Sequence, residues 1–223
     1  MIARKGNEPE AERAEAYNQE GLQAYADWNI EKAVDRLHAA IRLNPDQSDY
    51  HLNLAKALAR AGDFDQALRA LAEFIRLEPQ SEVAERFVQL FASGLDEVET
   101  TLTEKMTQAA MPIELIGAAM QMWLEYRIAV GREPLIVRKP ETWAAGLDYT
   151  VRKVNLRQVT QKEIGALYGV SGPTLRDRFE SLVAALDVMP CDYRYFVGDQ
   201  NPLDKLVEAA ELLEQLENRF REM

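Results

Sequence analysis

At 223 residues the chain is long enough for one or two domains, and it can bury roughly 70% of its unfolded surface without cross-links. Its 47% hydrophobic and 28% charged residues are a globular composition. A single cysteine, Cys191, excludes an internal disulfide and a cysteine-based zinc site. The net charge of −11 argues against a surface coated by nucleic acid but leaves room for a local basic patch.

The first ten residues contain no apolar core, so residues 1–13 read as a flexible tail and not as a secretory leader. The longest apolar stretch, Leu115–Leu124, has ten uncharged residues against the about 20 needed to span a bilayer. The expectation is a soluble, cytoplasmic protein with no membrane segment.

Residues 14–47 and 48–81 form two windows of 34 residues with matching small and apolar positions. The first carries Gly21, Ala24, Ala33, Leu37 and Ala40 and ends in Leu43-Asn44-Pro45. At the same offsets the second carries Ala55, Leu58, Ala67, Leu71 and Phe74 and ends in Leu77-Glu78-Pro79. Small residues at Gly21, Ala55, Ala33 and Ala67 let two helices of a hairpin touch. Gly62-Asp63 makes the intervening turn, and Pro45 and Pro79 stop the second helix of each pair. This pattern resembles the tetratricopeptide repeat. Trp28 stands at the usual turn glycine of the first repeat, where it either distorts the loop or caps the first hairpin. A helix beginning after Ser81, with Val83, Phe87, Leu90 and Phe91 at helical spacing, is expected to cap the open end of the pair, so this unit spans 14–93.

The resemblance implies a concave wall that binds peptides or helices of other proteins. Its wall positions here are Glu15, Asn18, Leu22, Tyr25, Ala26, Asp49, Leu52, Lys56, Ala59 and Arg60, with Asn18, Leu22, Tyr25, Leu52, Lys56 and Arg60 the expected contact residues. The Lys/Asn/Arg set with which chaperone-binding members grip a terminal carboxylate is incomplete, since the matching spots hold Asn18, Leu22, Asn53 and Lys56. A scaffold for the second half, or for self-association, is the plainer alternative.

Residues 94–189 read as a helical bundle. Residues 112–127 form an amphipathic helix with Ile113, Ile116, Met120, Trp123 and Leu124 on one side. Pro140 opens another, with Trp143, Leu147, Val151 and Val154 as its buried stripe and Ala144, Ala145 and Gly146 allowing close packing. Thr160 with Glu163 makes a capping box. Ile164, Val170 and Leu175 take internal-contact positions, Gly165 a helix crossing, Gly169 a turn, and Ser171 an N-cap. The spacing over 160–179 is that of a helix-turn-helix. Residues 132–182 carry nine Lys/Arg against six Asp/Glu, which makes nucleic acid an alternative ligand, with Arg152, Lys162, Ser171, Thr174, Arg176 and Arg178 as its contacts. Gly172, Pro173 and Asp177 weigh against that ligand: the first two give base edges no side-chain donor, and the third repels phosphate.

The run Arg138-Lys139-Pro140-Glu141-Thr142-Trp143-Ala144-Ala145-Gly146, followed by Gly165–Phe179, resembles an uncharacterised bacterial domain. More distantly it resembles the cyclin-like repeat of transcription factor IIB. That resemblance implies a five-helix bundle, in a class that binds proteins as well as nucleic acid.

Residues 190–223 read as an aromatic loop or strand over 192–199 and a last helix. That helix carries Leu203, Leu206, Val207, Ala210, Leu213 and Leu216 in a stripe that docks on this chain or on a second copy. No phosphate loop, dinucleotide fingerprint or metalloprotease motif is present, and His38 and His51 are the only histidines. Cys191 has no activating base in its sequence neighbourhood. The expectation is therefore an all-α chain without catalytic residue, metal or cofactor. It works as a protein-binding adaptor or, alternatively, as a DNA-binding regulator with the repeats as sensor or dimer arm.

Overall fold

The structure is a computed structural model that describes residues 8–92, 96–133, 135–198, 201–204 and 207. Ten helices follow one another among them: α1 (Glu8–Ala26), α2 (Ile30–Leu43), α3 (Ser48–Arg60), α4 (Phe64–Leu77), α5 (Glu82–Ala92), α6 (Glu97–Gln108), α7 (Ile113–Ala129), α8 (Pro140–Val154), α9 (Gln161–Tyr168) and α10 (Gly172–Leu186). No strand occurs among the described residues, so the all-α expectation holds. The helix expected after Pro202 lies almost wholly outside the described residues, as do Leu206, Ala210, Leu213 and Leu216. The chain divides into two compact units, one of residues 1–96 with 124–136 and one of residues 97–123 with 137–223.

In the first unit the 34-residue period becomes two superimposable hairpins. Trp28 has φ +59 and Gly62, one period on, has φ +82. The bonds around them repeat as well. The Trp28 and Asn29 amides donate to Tyr25 and Ala24, and the Gly62 and Asp63 amides donate to Ala59 and Leu58. Asn29 and Asp63 then cap α2 and α4, accepting from the Lys32 and Gln66 amides at 3.3 and 3.1 Å. The loop is thus not distorted: Trp28 adopts the backbone of the glycine it replaces. For a residue with a Cβ this costs about 1–2 kcal/mol.

Close helix contact depends on the small residues. A Cβ at Gly21 would lie 2.7 Å from Leu37 Cγ, and Ala33, Ala55 and Ala67 are fully buried. Phe74 and Phe87 meet edge-to-face at 6.2 Å, and Ser81 caps α5 by accepting from the Ala84 amide at 3.0 Å. So α5 does cover the end of the second hairpin through Ala84 and Phe87. The side chains of Leu90 and Phe91 lie outside the described residues.

Ile128 is part of this same core and Leu124 packs against it, although both were expected inside the following bundle. The one-sided stripe expected for α7 is also absent. Ile113 is 71% exposed, while Met122, Trp123, Glu125, Tyr126 and Ile128 are buried around the helix circumference. Two different cores use this helix, its first half in the second unit and its last turns in the first, so a single stripe cannot describe it.

In the second unit α8 is central, packing against α6, α9 and α10. A Cβ at Gly146 would come 2.8 Å from Arg178 Cβ, which fixes a close α8–α10 crossing. The capping box on α9 is fully formed, Gly169 has φ +67, and Ser171 caps α10. A Cβ at Gly165 would lie 2.6 Å from the Val170 carbonyl oxygen. Residues 188–198 form turns and no strand. They are held by Asn155, which donates to the Tyr195 carbonyl at 2.9 Å and accepts from the Val197 amide at 2.6 Å. Cys191 is buried, with φ +60, and its amide donates to the Val154 carbonyl at 2.9 Å.

Candidate functional site

Wall positions of α1 are bonded to α3 within the first unit. Asn53 donates to Asn18 at 2.9 Å, and Tyr50 donates to Glu15 at 3.0 Å. Hydrogen bonds from Gln19, Tyr50 and Asn18 keep the Glu15 carboxyl below the usual range, against a smaller opposing effect of burial. Burial and Glu15 push the Tyr50 hydroxyl up to about 12. Arg60 enters a stack of rings: its Cζ lies 4.1 Å from the Tyr25 centroid and 4.6 Å from that of Trp28, and it is 9% exposed.

Of the six residues expected to contact a partner, Asn18, Leu52 and Arg60 are therefore buried in the fold itself. Asn18 is engaged across the α1–α3 interface, Leu52 lies in the repeat core and Arg60 in the ring stack. Leu22, Tyr25 and Lys56 stay partly accessible.

Residues 131 and 132 of the same unit meet α3 at Lys56 and Asp49. Arg127 pairs with Asp96 at 2.8 Å, and Ile128 is fully buried in the repeat core. At Gly131, φ +55, a Cβ would lie 2.4 Å from Lys56 Nζ, so the lysine amine sits directly over a backbone that only glycine leaves bare. Arg132 follows. It donates from Nε to Asp49 Oδ1 at 2.7 Å and from Nη1 and Nη2 to the two Glu78 oxygens at 3.0 and 2.8 Å. Its Cζ lies 5.2 Å from the Phe74 centroid, and Ser48 donates to the same Glu78 carboxylate. Hydrogen bonds from Arg132 and Ser48 hold Glu78 below the usual carboxylate range, and Glu78 raises Arg132.

In the second unit the basic set divides. Arg152 grips Asp148 at 2.5 and 2.8 Å, and Tyr168 donates to the same carboxylate at 3.1 Å. Asp148 has no exposed surface, and burial pushes its carboxyl up against the pull of Arg152 and Tyr168. The Arg178 guanidinium lies 4.4 Å from the Trp143 ring centroid, with its Nε buried. Both of these arginines, expected as phosphate contacts, are engaged within the unit. Burial beside an acid claims Arg152, and the α8–α10 crossing claims Arg178. Lys162, Ser171 and Arg176 remain exposed and Thr174 is half-buried, but Ser171 is already occupied as the N-cap of α10, accepting from the Thr174 amide at 3.4 Å.

Three features escaped the sequence reading. They are the Asp148–Arg152–Tyr168 network, the Arg132 site, and a cavity of about 400 Å³ between α8 and α10 that Val154, Leu156, Phe179 and Val183 line beside Lys153 and Arg157. Asp148 and Arg152 did carry a signal, an acid four residues before a base, with the acid next to Leu147 on the buried stripe. Among the described residues no group of three His, Cys, Asp or Glu could hold a metal ion, and no helix is long and apolar enough to cross a membrane.

Residues 24–85, which hold these helical hairpins, match the tetratricopeptide repeat. Over 127 residues the chain is also 31% identical to the "Uncharacterized protein YccF" of Bacillus subtilis (strain 168), a stretch covering 56% of this chain and 35% of that protein. The similarity thus spans about a third of that relative's length.

Proposed function

We propose that the chain is a non-enzymatic cytoplasmic adaptor whose tetratricopeptide groove captures a protein or peptide partner. The observation that carries this reading is that α3 already receives a peptide segment along its wall. Residues 128–132 of the same chain lie on it with a buried aliphatic side chain, a bare glycine backbone under Lys56 and a clamped arginine. Leu22, Tyr25 and Lys56 are the accessible contact residues in this reading.

The test is affinity capture from host lysate with wild-type protein and with Leu22→Glu and Lys56→Glu variants of unchanged helicity. A partner that both variants release supports the groove. Equal recovery by all three proteins defeats it.

A second reading keeps the helix-turn-helix and cyclin-like resemblance and treats α10 as a DNA-reading helix. It is favoured by the exposure of Lys162 and Arg176 beside a fully capped α9–α10 turn. It requires a mobility shift at low salt that Arg176→Ala weakens and added salt removes. A complete absence of shift at micromolar protein retires it.

A further inference from the structure

We infer that Asp49, Glu78 and Phe74 form an arginine-recognition site in the repeat groove, that Arg132 fills it in cis, and that the groove's external ligand is a peptide bearing a Gly-Arg step that takes the place of Gly131-Arg132. This names the partner class for the adaptor reading above and rests on it.

The chemistry of the site selects a guanidinium. Glu78 receives two parallel N–H donors at 3.0 and 2.8 Å while Asp49 accepts from Nε at 2.7 Å. Only a planar fork supplies three donors in those directions; an ammonium is a point charge and cannot. The Phe74 ring, itself fully buried, offers a flat face 5.2 Å from Cζ.

The placement of Glu78 strengthens the case. It is the C-cap of α4, at the negative end of the helix dipole, where a carboxylate is unfavourable on its own. A second acid, Asp49, stands on the other side of the same guanidinium, and Ser48 fixes the orientation of Glu78. Two carboxylates so placed repel each other unless a cation lies between them, so the site is built around its occupant.

The occupant can also leave. The Arg132 side chain is 42% exposed, whereas the anchor of the strap, Ile128, is fully buried. Exchange therefore needs only residues 131–133 to lift, without opening the core. Until then the tethered arginine competes at an effective concentration of about millimolar, which keeps weak ligands out.

The experiment uses the full chain and a fluorescein-labelled peptide, Ile-Ala-Val-Gly-Arg-Glu, read by anisotropy. Arg132→Ala, which vacates the site, is expected to bind the peptide at least about tenfold more tightly than wild type. A peptide with lysine for arginine should lose about tenfold, and adding Glu78→Gln to Arg132→Ala should abolish the gain. Should Arg132→Ala fail to fold, Arg132→Lys keeps the charge without the fork and is expected to show the gain in its place. Equal affinity of wild type and the vacated variant, or equal binding of an alanine-for-arginine peptide, overturns the inference. If the vacated variant binds the peptide but Leu22→Glu and Lys56→Glu leave partner recovery unchanged, the arginine site stands and the adaptor reading falls. Partner release by those variants with no gain on vacating the site gives the opposite result.

Discussion

Arg60 shows how the fold itself can engage a side chain that the repeat resemblance offers to a partner. Its position on the inner face of α3 follows from the repeat period, yet the side chain lies between Tyr25 and Trp28 and is 9% exposed. The period fixes direction. It does not say whether a neighbouring ring will claim the guanidinium. The two rings come from the end of α1 and its turn, so the stack ties the two hairpins together. It also offsets part of the backbone cost of Trp28 at φ +59. Removing Arg60 takes away two ring contacts in a desolvated place, so Arg60→Ala is expected to lower stability by about 2 kcal/mol in urea unfolding. A double-mutant cycle with Trp28→Ala should show clear coupling, because both changes remove the same contact. Additive effects would mean that the Arg60–Trp28 contact contributes nothing.

The elements that could be read in advance were those that local chemistry decides. The Gly62-Asp63 turn and the Thr160–Glu163 box each rest on residues within a few positions of one another, the 34-residue period repeats such local signals, and the structure has both features. The strap could not be read, because Arg132 meets Asp49 and Glu78 across 83 and 54 residues of sequence, and no periodicity spans that gap. The last turns of α7 escaped for the same reason: their core partners lie in the repeats. Where local and tertiary demands coincide, a sharp contrast follows. Gly165 and Gly172 both sit at the α9–α10 junction, but a Cβ at Gly165 meets the Val170 carbonyl oxygen at 2.6 Å, while a Cβ at Gly172 meets nothing within 4 Å. Backbone cannot give way as a side chain can. Gly165→Ala is therefore expected to cost about 1–3 kcal/mol in thermal or urea unfolding. Gly172→Ala should be neutral or slightly stabilising, through the better helix propensity of alanine. Equal effects at the two sites would show that the turn has slack which the close approach denies.

At the scale of the whole chain, the two units carry carboxyl groups whose environments push in opposite directions, and this separates their responses to acid. In the repeat unit Glu15 and Glu78 are held below the usual carboxylate range by hydrogen bonds. A depressed carboxyl stabilises the fold above its unfolded value, and that contribution is lost as pH falls through the folded value. Protonating Glu78 also removes one of the two carboxylate partners of Arg132 and loosens residues 131–133. In the second unit burial raises Asp148, so protonation favours the folded state and its contribution grows as pH falls. The exposed Glu163, lowered by its bonds to Thr160, acts against this only at the start of α9, which leaves α8 as the clean reporter. Hydrogen exchange, corrected for intrinsic rates, is therefore expected to show α3 and α4 losing protection as pH falls below about 5 while α8 keeps its own. In Glu78→Gln the acid-induced loss should shrink, since the charge that titrates is gone and the strap is already loosened at neutral pH. Loss of α8 protection before α3 would reverse the assigned signs and remove the basis for treating the clamped arginine as the acid-labile contact of the groove.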